Sequence, residues 1–390
     1  MATAMTTILR IPHKVSCLHG QHPAYRSSLP DTARFFGFRP VTDTIRNVSD
    51  DLDNLIREAI DNKTKPRGSL GVLEDLAAQV CRVQGTVTPS LVKPTVLVFA
   101  ADHGLAREPV SAYPREVTEQ MALNIVAGGA GISVFAHQHS MKMILIDSGV
   151  DWSGSRPSGM VDRWMGPGTA SSLDGDAMSA EEVSHCLAIG ADAVDNLVDP
   201  DCTVIGFGEL GIGNTSAASL LASALTGMPL ADCVGPGTGL TGDGLQRKLE
   251  LLQQVQDGHP SPTDALEALR MFGGFEIAQM AGAMKRSYET GRLVLVDGFV
   301  ATAAFLVAWS QDVSIMDNAV FCHQSGEPGH ARVLAFLGAR PLVSLGMRLG
   351  EGSGCAVAYP IIASAVAFVN EMASFTEAGV STGTPEAEAG

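Results

Sequence analysis

Glu351 is the residue of this chain most plainly placed to do chemistry. It stands in the run Met347-Arg-Leu-Gly-Glu-Gly-Ser-Gly-Cys-Ala356, a single carboxylate between glycines, just ahead of an apolar stretch over 357–372. Glycines remove the side chains that would shield an acid and let backbone close on a ligand. The apolar stretch predicts a buried helix. An acid held dry at its mouth has a raised pKa, which suits a general base. A solvated glutamate in a flexible loop is the competing reading of the same residues.

Further acids follow short runs rich in β-branched residues. The runs at 95–100, 141–146, 202–205 and 293–296 lead to Asp102-His103-Gly104, Asp147-Ser148-Gly149, Gly206-Phe-Gly208-Glu209-Leu-Gly211 and Asp297-Gly298. Each alone reads as a cap or turn. As a set, delivered to the carboxyl ends of strands, they predict a ligand site. The third has GxGxxG spacing, with Asp232 about twenty residues on, the fingerprint of a dinucleotide turn. Glu209 inside that turn would repel a pyrophosphate, and the helix begins only at Asn214-Thr215. The expectation is therefore a mononucleotide cradle with amides near Gly211, and an NAD-dependent oxidoreductase of Rossmann type stays as the alternative.

Two more groups could meet an anion. Ser325-Gly326-Glu327-Pro-Gly329 reads either as a phosphate turn or as an ordinary β-turn. Lys248 falls in the first turns of a helix predicted over 245–256, a poor place for a cation unless an anion is near. No Walker A motif and no HExxH pair occurs, so neither a P-loop kinase nor a zinc hydrolase is suggested.

The elements that must hold these groups alternate. Helical spacing covers 50–61, 69–83, 117–125, 180–197, 215–225 and 245–256, between the strand-like runs. That alternation predicts an α/β fold, a parallel sheet with helices on both faces. The 390 residues, 45% hydrophobic and 17% charged, suffice for one large domain or two ordinary ones. A net charge of −16 argues against nucleic acid or an anionic membrane surface as partner. Seven scattered cysteines without a CxxC pair suggest free thiols in a reducing compartment. No unbroken apolar run is long enough to span a membrane. Residues 1–30 contain no Asp or Glu, so a leader, either a transit peptide for an organelle or a cytoplasmic extension, is expected before the fold begins near residue 48.

Seven blocks in order resemble one enzyme family. They are Lys65-Pro-Arg-Gly-Ser-Leu-Gly-Val-Leu-Glu74, Ala101-Asp-His-Gly104, Gly208-Glu-Leu-Gly-Ile-Gly-Asn-Thr215, Gly273-Gly-Phe-Glu276, Leu295-Val-Asp-Gly-Phe299, the Ser325 turn and Met347-Arg-Leu-Gly-Glu-Gly-Ser-Gly354. Together they span about 48–375 and resemble nicotinate-nucleotide–dimethylbenzimidazole phosphoribosyltransferases. The resemblance implies transfer of ribose 5-phosphate from nicotinate mononucleotide to 5,6-dimethylbenzimidazole, in cobalamin biosynthesis or remodelling, without metal or cofactor. It implies a homodimer with a Rossmann-like sheet domain over 91–350 and a smaller helical domain built from 48–90 and 351–375. Composition adds the expectations of a cytoplasmic protein, a leader over 1–47 and a disordered tail over 376–390.

By resemblance Glu351 is the base, with Glu209 and Lys248 as further catalytic groups. Gly211, Asn214, Thr215, Ser325, Gly326, Arg348, Asp102 and Asp297 would bind substrate. Glu108 and Tyr113 lie in the variable loop after Gly104 and leave the preferred base open. A catalytically silent nucleotide-binding relative is the remaining alternative.

Overall fold

Six short segments, apolar on both sides, pair in one direction and leave their carboxyl ends on a common edge. The computed structural model describes residues 50–381. The strands are β1 (Thr95–Ala101), β2 (Lys142–Gly149), β3 (Val161–Asp162), β4 (Val204–Leu210), β5 (Leu293–Val296) and β6 (Ala319–Phe321). They form one sheet in the order β3-β2-β1-β4-β5-β6, every pair parallel. The chain builds outward from β1 to β3, then crosses back and builds from β4 to β6. The crevice for a ligand therefore opens between the carboxyl ends of β1 and β4, where the order reverses.

Helices α1 (Asp50–Asp61) and α2 (Val72–Gln84) precede the sheet, and α3 (Val117–Val126) and α4 (Gly131–Gln138) connect β1 to β2. Then α5 (Ala180–Leu197) leads to β4. After β4 come α6 (Asn214–Thr226), α7 (Leu230–Cys233), α8 (Asp243–Asp257), α9 (Ala265–Phe272) and α10 (Phe275–Glu289). The order closes with α11 (Phe299–Gln311), α12 (Pro328–Leu337), α13 (Ser353–Glu371) and α14 (Phe375–Ala378). Alternate strand residues point to opposite faces. Leu97, Phe99, Ile205, Phe207, Val294 and Val296 pack under α5, α6, α10 and α11. Val96 and Val98 pack against α3 and α4. Val204, Leu293, Leu295 and Val320 share a cluster with Ile56 and Ile60 of α1, Leu76 and Val80 of α2, and Ile362 and Val369 of α13.

The two ends of the chain thus meet in one cluster that continues onto the sheet. Among the described residues α13 alone is long and apolar enough to cross a bilayer, yet half of its apolar window is buried here, against α2, α4 and β4. The six described cysteines are free and buried.

Three local outcomes differ from the sequence reading. The helix expected from residue 69 starts at Val72, because Gly71 at +55° in φ precedes it and Lys65–Glu74, an ion pair of 2.8 Å, ties down the turn. The chain expected to lose structure after Phe375 makes one more turn, α14, closed by a reciprocal Ser374–Glu377 cap. Most importantly, Gly206 and Gly208 lie inside β4 rather than in a turn. The leader expected over 1–47 and the last nine residues of the tail, 382–390, lie outside the described residues.

Helices α5 and α10 make the closest helix contact. A Cβ on Gly190 of α5 would lie 1.8 Å from the carbonyl oxygen of Gln279 on α10, and one on Gly282 would lie 2.1 Å from that of Leu187. Glycine is required because backbone, not a movable side chain, fills the space. Gly190→Ala is accordingly expected to cost about 3 kcal/mol, read as a lower urea midpoint. Gly175→Ala, which meets nothing within 4 Å, should stay within about 0.5 kcal/mol of the parent.

Candidate active site

Strand β4 is smoothed by glycine so that another piece of backbone can lie on it. A Cβ on Gly208 would sit 2.1 Å from the amide nitrogen of Gly352, and one on Gly206 would touch the Cys355 side chain at 3.0 Å. The segment lying there is Gly350-Glu351-Gly352, with φ of +78°, +65° and +81°. Three successive left-handed residues turn the chain sharply into α13, and the Glu351 amide donates to the Glu209 carbonyl at 3.1 Å. Glycine takes this conformation freely, whereas Glu351 pays for it in strain. The spacing read as a phosphate-binding turn is therefore the seat of the Glu351 turn, and no dinucleotide turn exists at Gly206–Gly211.

The Glu351 side chain is only 3% exposed. Its Oε2 accepts from the Ile132 amide in the first turn of α4, at 3.4 Å. Burial pushes its pKa up, the Ile132 amide opposes this, and the nearby Asp297 carboxylate adds to the rise. A Cβ on Gly131 would fall among the Leu349 methyls, Ser353 Oγ and Glu351 Oε2, so glycine there keeps a small notch open beside the carboxylate.

Other acids crowd the same edge. Glu209, the last buried residue of β4, takes a hydrogen bond from Asn214 Nδ2. Burial, then Asp297 and Glu276, push its pKa up to about 8, while Asn214 pulls the other way. Asp297 follows β5 and accepts from the amides of Gly352 and Gly354. Asp102 follows β1 and accepts from the Asp151 amide at 2.9 Å, and burial raises its pKa. Glu276, at the start of α10, meets His103 Nε2 at 2.6 Å. Burial disfavours the charged His103 ring, but Glu276 and Asp102 outweigh it and leave the pKa raised. Neither residue was among the site candidates read from the sequence. Their pairing spans 173 positions and has no local signature.

Lys248 is fully buried in α8 and donates to Thr215 Oγ1 at 3.2 Å and to the Gly235 carbonyl at 3.1 Å. Burial pushes its pKa down to about 8 against the pull of Glu327, the anion that sequence reading did not find. The Ser325 turn is held from within. The amides of Ser325, Gly326 and Glu327 donate to His330 Nδ1, the Met347 carbonyl and Ser325 Oγ. These amides are thus committed, contrary to the expectation that they are free for phosphate, and the Ser325 hydroxyl proton is what remains to donate. Burial lowers the His330 pKa to about 3, which keeps the ring neutral and able to accept. Arg348, exposed, donates to the Gly237 carbonyl at 2.9 Å. Gly211 packs against the Ala101 carbonyl, where a Cβ would lie at 2.3 Å.

Most of the sequence candidates are linked by contacts around the Glu351 turn, while Asp102 stands apart on the Asp151 amide. Glu351, Glu209 and Asp297 touch the same turn, Asn214 joins Glu209 to the start of α6, Thr215 joins α6 to Lys248, and Met347 joins the Glu351 arm to Gly326. A cavity of about 590 Å³ lined by Met178, Ser179, Arg270 and Phe275 holds none of them.

The raised Glu209 pKa carries a stability consequence. An unfolded glutamate ionises near 4.5, the folded one near 8, so between these values the folded state holds the extra proton and stability falls as pH rises. Urea midpoints of wild type and Glu209→Gln measured from pH 5 to 8.5 should show the parent losing more stability than the variant. Equal slopes would mean that Glu209 is ionised throughout.

Comparison with known proteins gives a consistent family. A family model described as phosphoribosyltransferase matches residues 45–380. The nicotinate-nucleotide–dimethylbenzimidazole phosphoribosyltransferase of Cupriavidus taiwanensis is 48% identical over 338 residues, covering 87% of this chain and 98% of its own. That of Dechloromonas aromatica is 47% identical over 333 residues, covering 85% and 96%. The crystal structure of CobT from Thermus thermophilus matches with a TM-score of 0.81 at 40% identity, covering 85% of this chain and 100% of that one.

Proposed function

The chain belongs to the nicotinate-nucleotide–dimethylbenzimidazole phosphoribosyltransferase family, and we propose that the ring of residues around Glu351 is where it carries out that transfer. Ribose 5-phosphate moves from nicotinate mononucleotide to 5,6-dimethylbenzimidazole, giving α-ribazole 5′-phosphate and nicotinate. One observation carries the assignment of the site: Glu351, buried and held by strain in the switch-point crevice, has a pKa raised by burial.

The chemistry asks little of the leaving side. The bond from ribose C1′ to the pyridinium nitrogen breaks with its electron pair going to the ring, so nicotinate departs without a proton. The incoming base attacks C1′ from the opposite face through one ring nitrogen, inverting the centre. Its other nitrogen loses a proton to Glu351. Without a cation beside it, Glu209 is mostly protonated at neutral pH. Arrival of the pyridinium favours its ionised form, and the acids Glu209 and Glu276 then face the charge that grows on the ribose.

The 5′-phosphate belongs on the side away from Glu351. Lys248, which already holds Thr215, and the Ser325 hydroxyl would bind it, and the anion would keep Lys248 in its charged form. Asn214, pinned to Glu209, positions that acid rather than the substrate. The oxidoreductase reading loses its basis, since Gly206 and Gly208 are strand residues. A silent relative is disfavoured by the retention of Glu351, Glu209 and Lys248 together. The homodimer remains part of this reading, with Leu349 and Val134 exposed beside the Glu351 turn.

Incubating the protein with nicotinate mononucleotide and 5,6-dimethylbenzimidazole should yield ribazole phosphate by mass spectrometry. Glu351→Gln is expected to lower kcat roughly 100-fold or more while leaving substrate binding by calorimetry nearly intact. Lys248→Met should raise KM for nicotinate mononucleotide by about 10-fold to 100-fold, with far less effect on the phosphate-free riboside. An equal loss on both substrates would remove Lys248 from the phosphate.

A further inference from the structure

We propose that Asp297 is a positioning residue, the clamp that holds the Glu351 turn in its reactive conformation, and not a ligand of the substrate. The idea rests on the role given above to Glu351. Both Asp297 oxygens are engaged by protein. Oδ2 accepts from the Gly352 amide at 3.1 Å and Oδ1 from the Gly354 amide at 2.5 Å, while His323 Nε2 stands 3.4 Å from Oδ1. The residue is 2% exposed. With an amide on each oxygen and almost no exposed surface, the carboxylate is directed at the turn and not at a ribose.

The turn needs such a clamp. Gly350, Glu351 and Gly352 all have positive φ, and a non-glycine residue keeps that conformation only where its surroundings over-determine it. The other restraints are the Glu351 amide to the Glu209 carbonyl, the Ser353 amide to the Gly350 carbonyl, and the Ile132 amide to the Glu351 carboxylate itself. Asp297 is the side chain from outside the turn that grips its backbone, and it follows the end of β5, an interior strand between β4 and β6. It therefore ties the turn to the sheet. The space around the clamp is equally full. A Cβ on Gly354 would lie 2.1 Å from the His323 ring and 2.5 Å from Asp297 Oδ1.

The clamp also has an electrostatic effect. The groups facing Glu351 are Asp297 from β5, Glu209 from β4 with Glu276 of α10 behind it, and the Ile132 amide from α4; His323 stands behind Asp297. Asp297 is the charge that adds to the raised pKa of Glu351. Its removal lowers that pKa, so the deprotonated base persists to lower pH.

The test compares wild type, Asp297→Asn and Glu351→Gln in kcat, in KM for both substrates and in the pH profile of kcat/KM. Asp297→Asn is expected to lower kcat roughly 10-fold to 100-fold, the scale of a misplaced reacting group, with KM little changed and the acidic limb moved to lower pH. A raised KM for nicotinate mononucleotide with unchanged kcat would overturn the proposal and make Asp297 a substrate ligand. An acidic limb that survives in Glu351→Gln would defeat the assignment of the base itself. A limb lost in Glu351→Gln but unmoved in Asp297→Asn would defeat the clamp alone. Should Asp297→Asn not fold, a crystal structure of the wild type with both substrates decides. Asp297 still on the Gly352 and Gly354 amides supports the clamp, and Asp297 turned to the ribose overturns it.

Discussion

The contact of two backbones, the Gly350–Gly352 turn lying on strand β4, is what the site is built around. At Gly208 there is no room even for a methyl group, and a central strand ordinarily avoids glycine there because it forfeits packing and conformational entropy. The loss is local and the return is positional. Glu351 comes to rest over the switch point of the sheet, hydrogen-bonded through its amide to the residue that carries Glu209. Once that contact is fixed, α13 must leave the turn across the sheet, and α2 and α4 must accommodate it.

The charges around the turn are sorted to two sides. Glu209, Glu276, Asp297, Asp102 and Glu351 gather at the carboxyl edge, where burial keeps the protons of Glu209, Asp102 and Glu351 on longer than usual, and neighbouring acids add to this for Glu209 and Glu351. Lys248 lies beyond Thr215 with its own proton held less firmly than usual. On the reading proposed above, a nucleotide whose ring is a cation and whose tail is a phosphate would relieve both stresses together. The net charge of the chain, strongly negative, says nothing of this; the local placement of a few groups does.

Much of the framework could be read from the residues alone. The β-branched runs marked four strands, their sequels lie at the common carboxyl edge, and the acid between glycines, Glu351, is buried over that edge. Two kinds of feature stayed hidden. Pairings across great distances, such as His103 with Glu276 and the field of Glu327 on Lys248, have no local trace. Helices buried on every side also lose the apolar period that betrays a helix at a surface; α11 is the clearest case, with Phe299 through Trp309 all buried. The Gly206–Gly211 spacing misled for a third reason. Glycine signals close approach of something, and the sequence does not say whether that something is a phosphate or another stretch of the same chain.

The placement of α13 bears on how the protein comes into being. During synthesis the amino-terminal helices and all six strands leave the ribosome before it does. Until it arrives, Val204, Leu293 and Leu295 of the sheet and the helices α1 and α2 lack the apolar neighbour they share. The nascent chain therefore carries a sticky open flank until its last long helix is made, and it gains the Glu351 turn and its closed interior in the same late event.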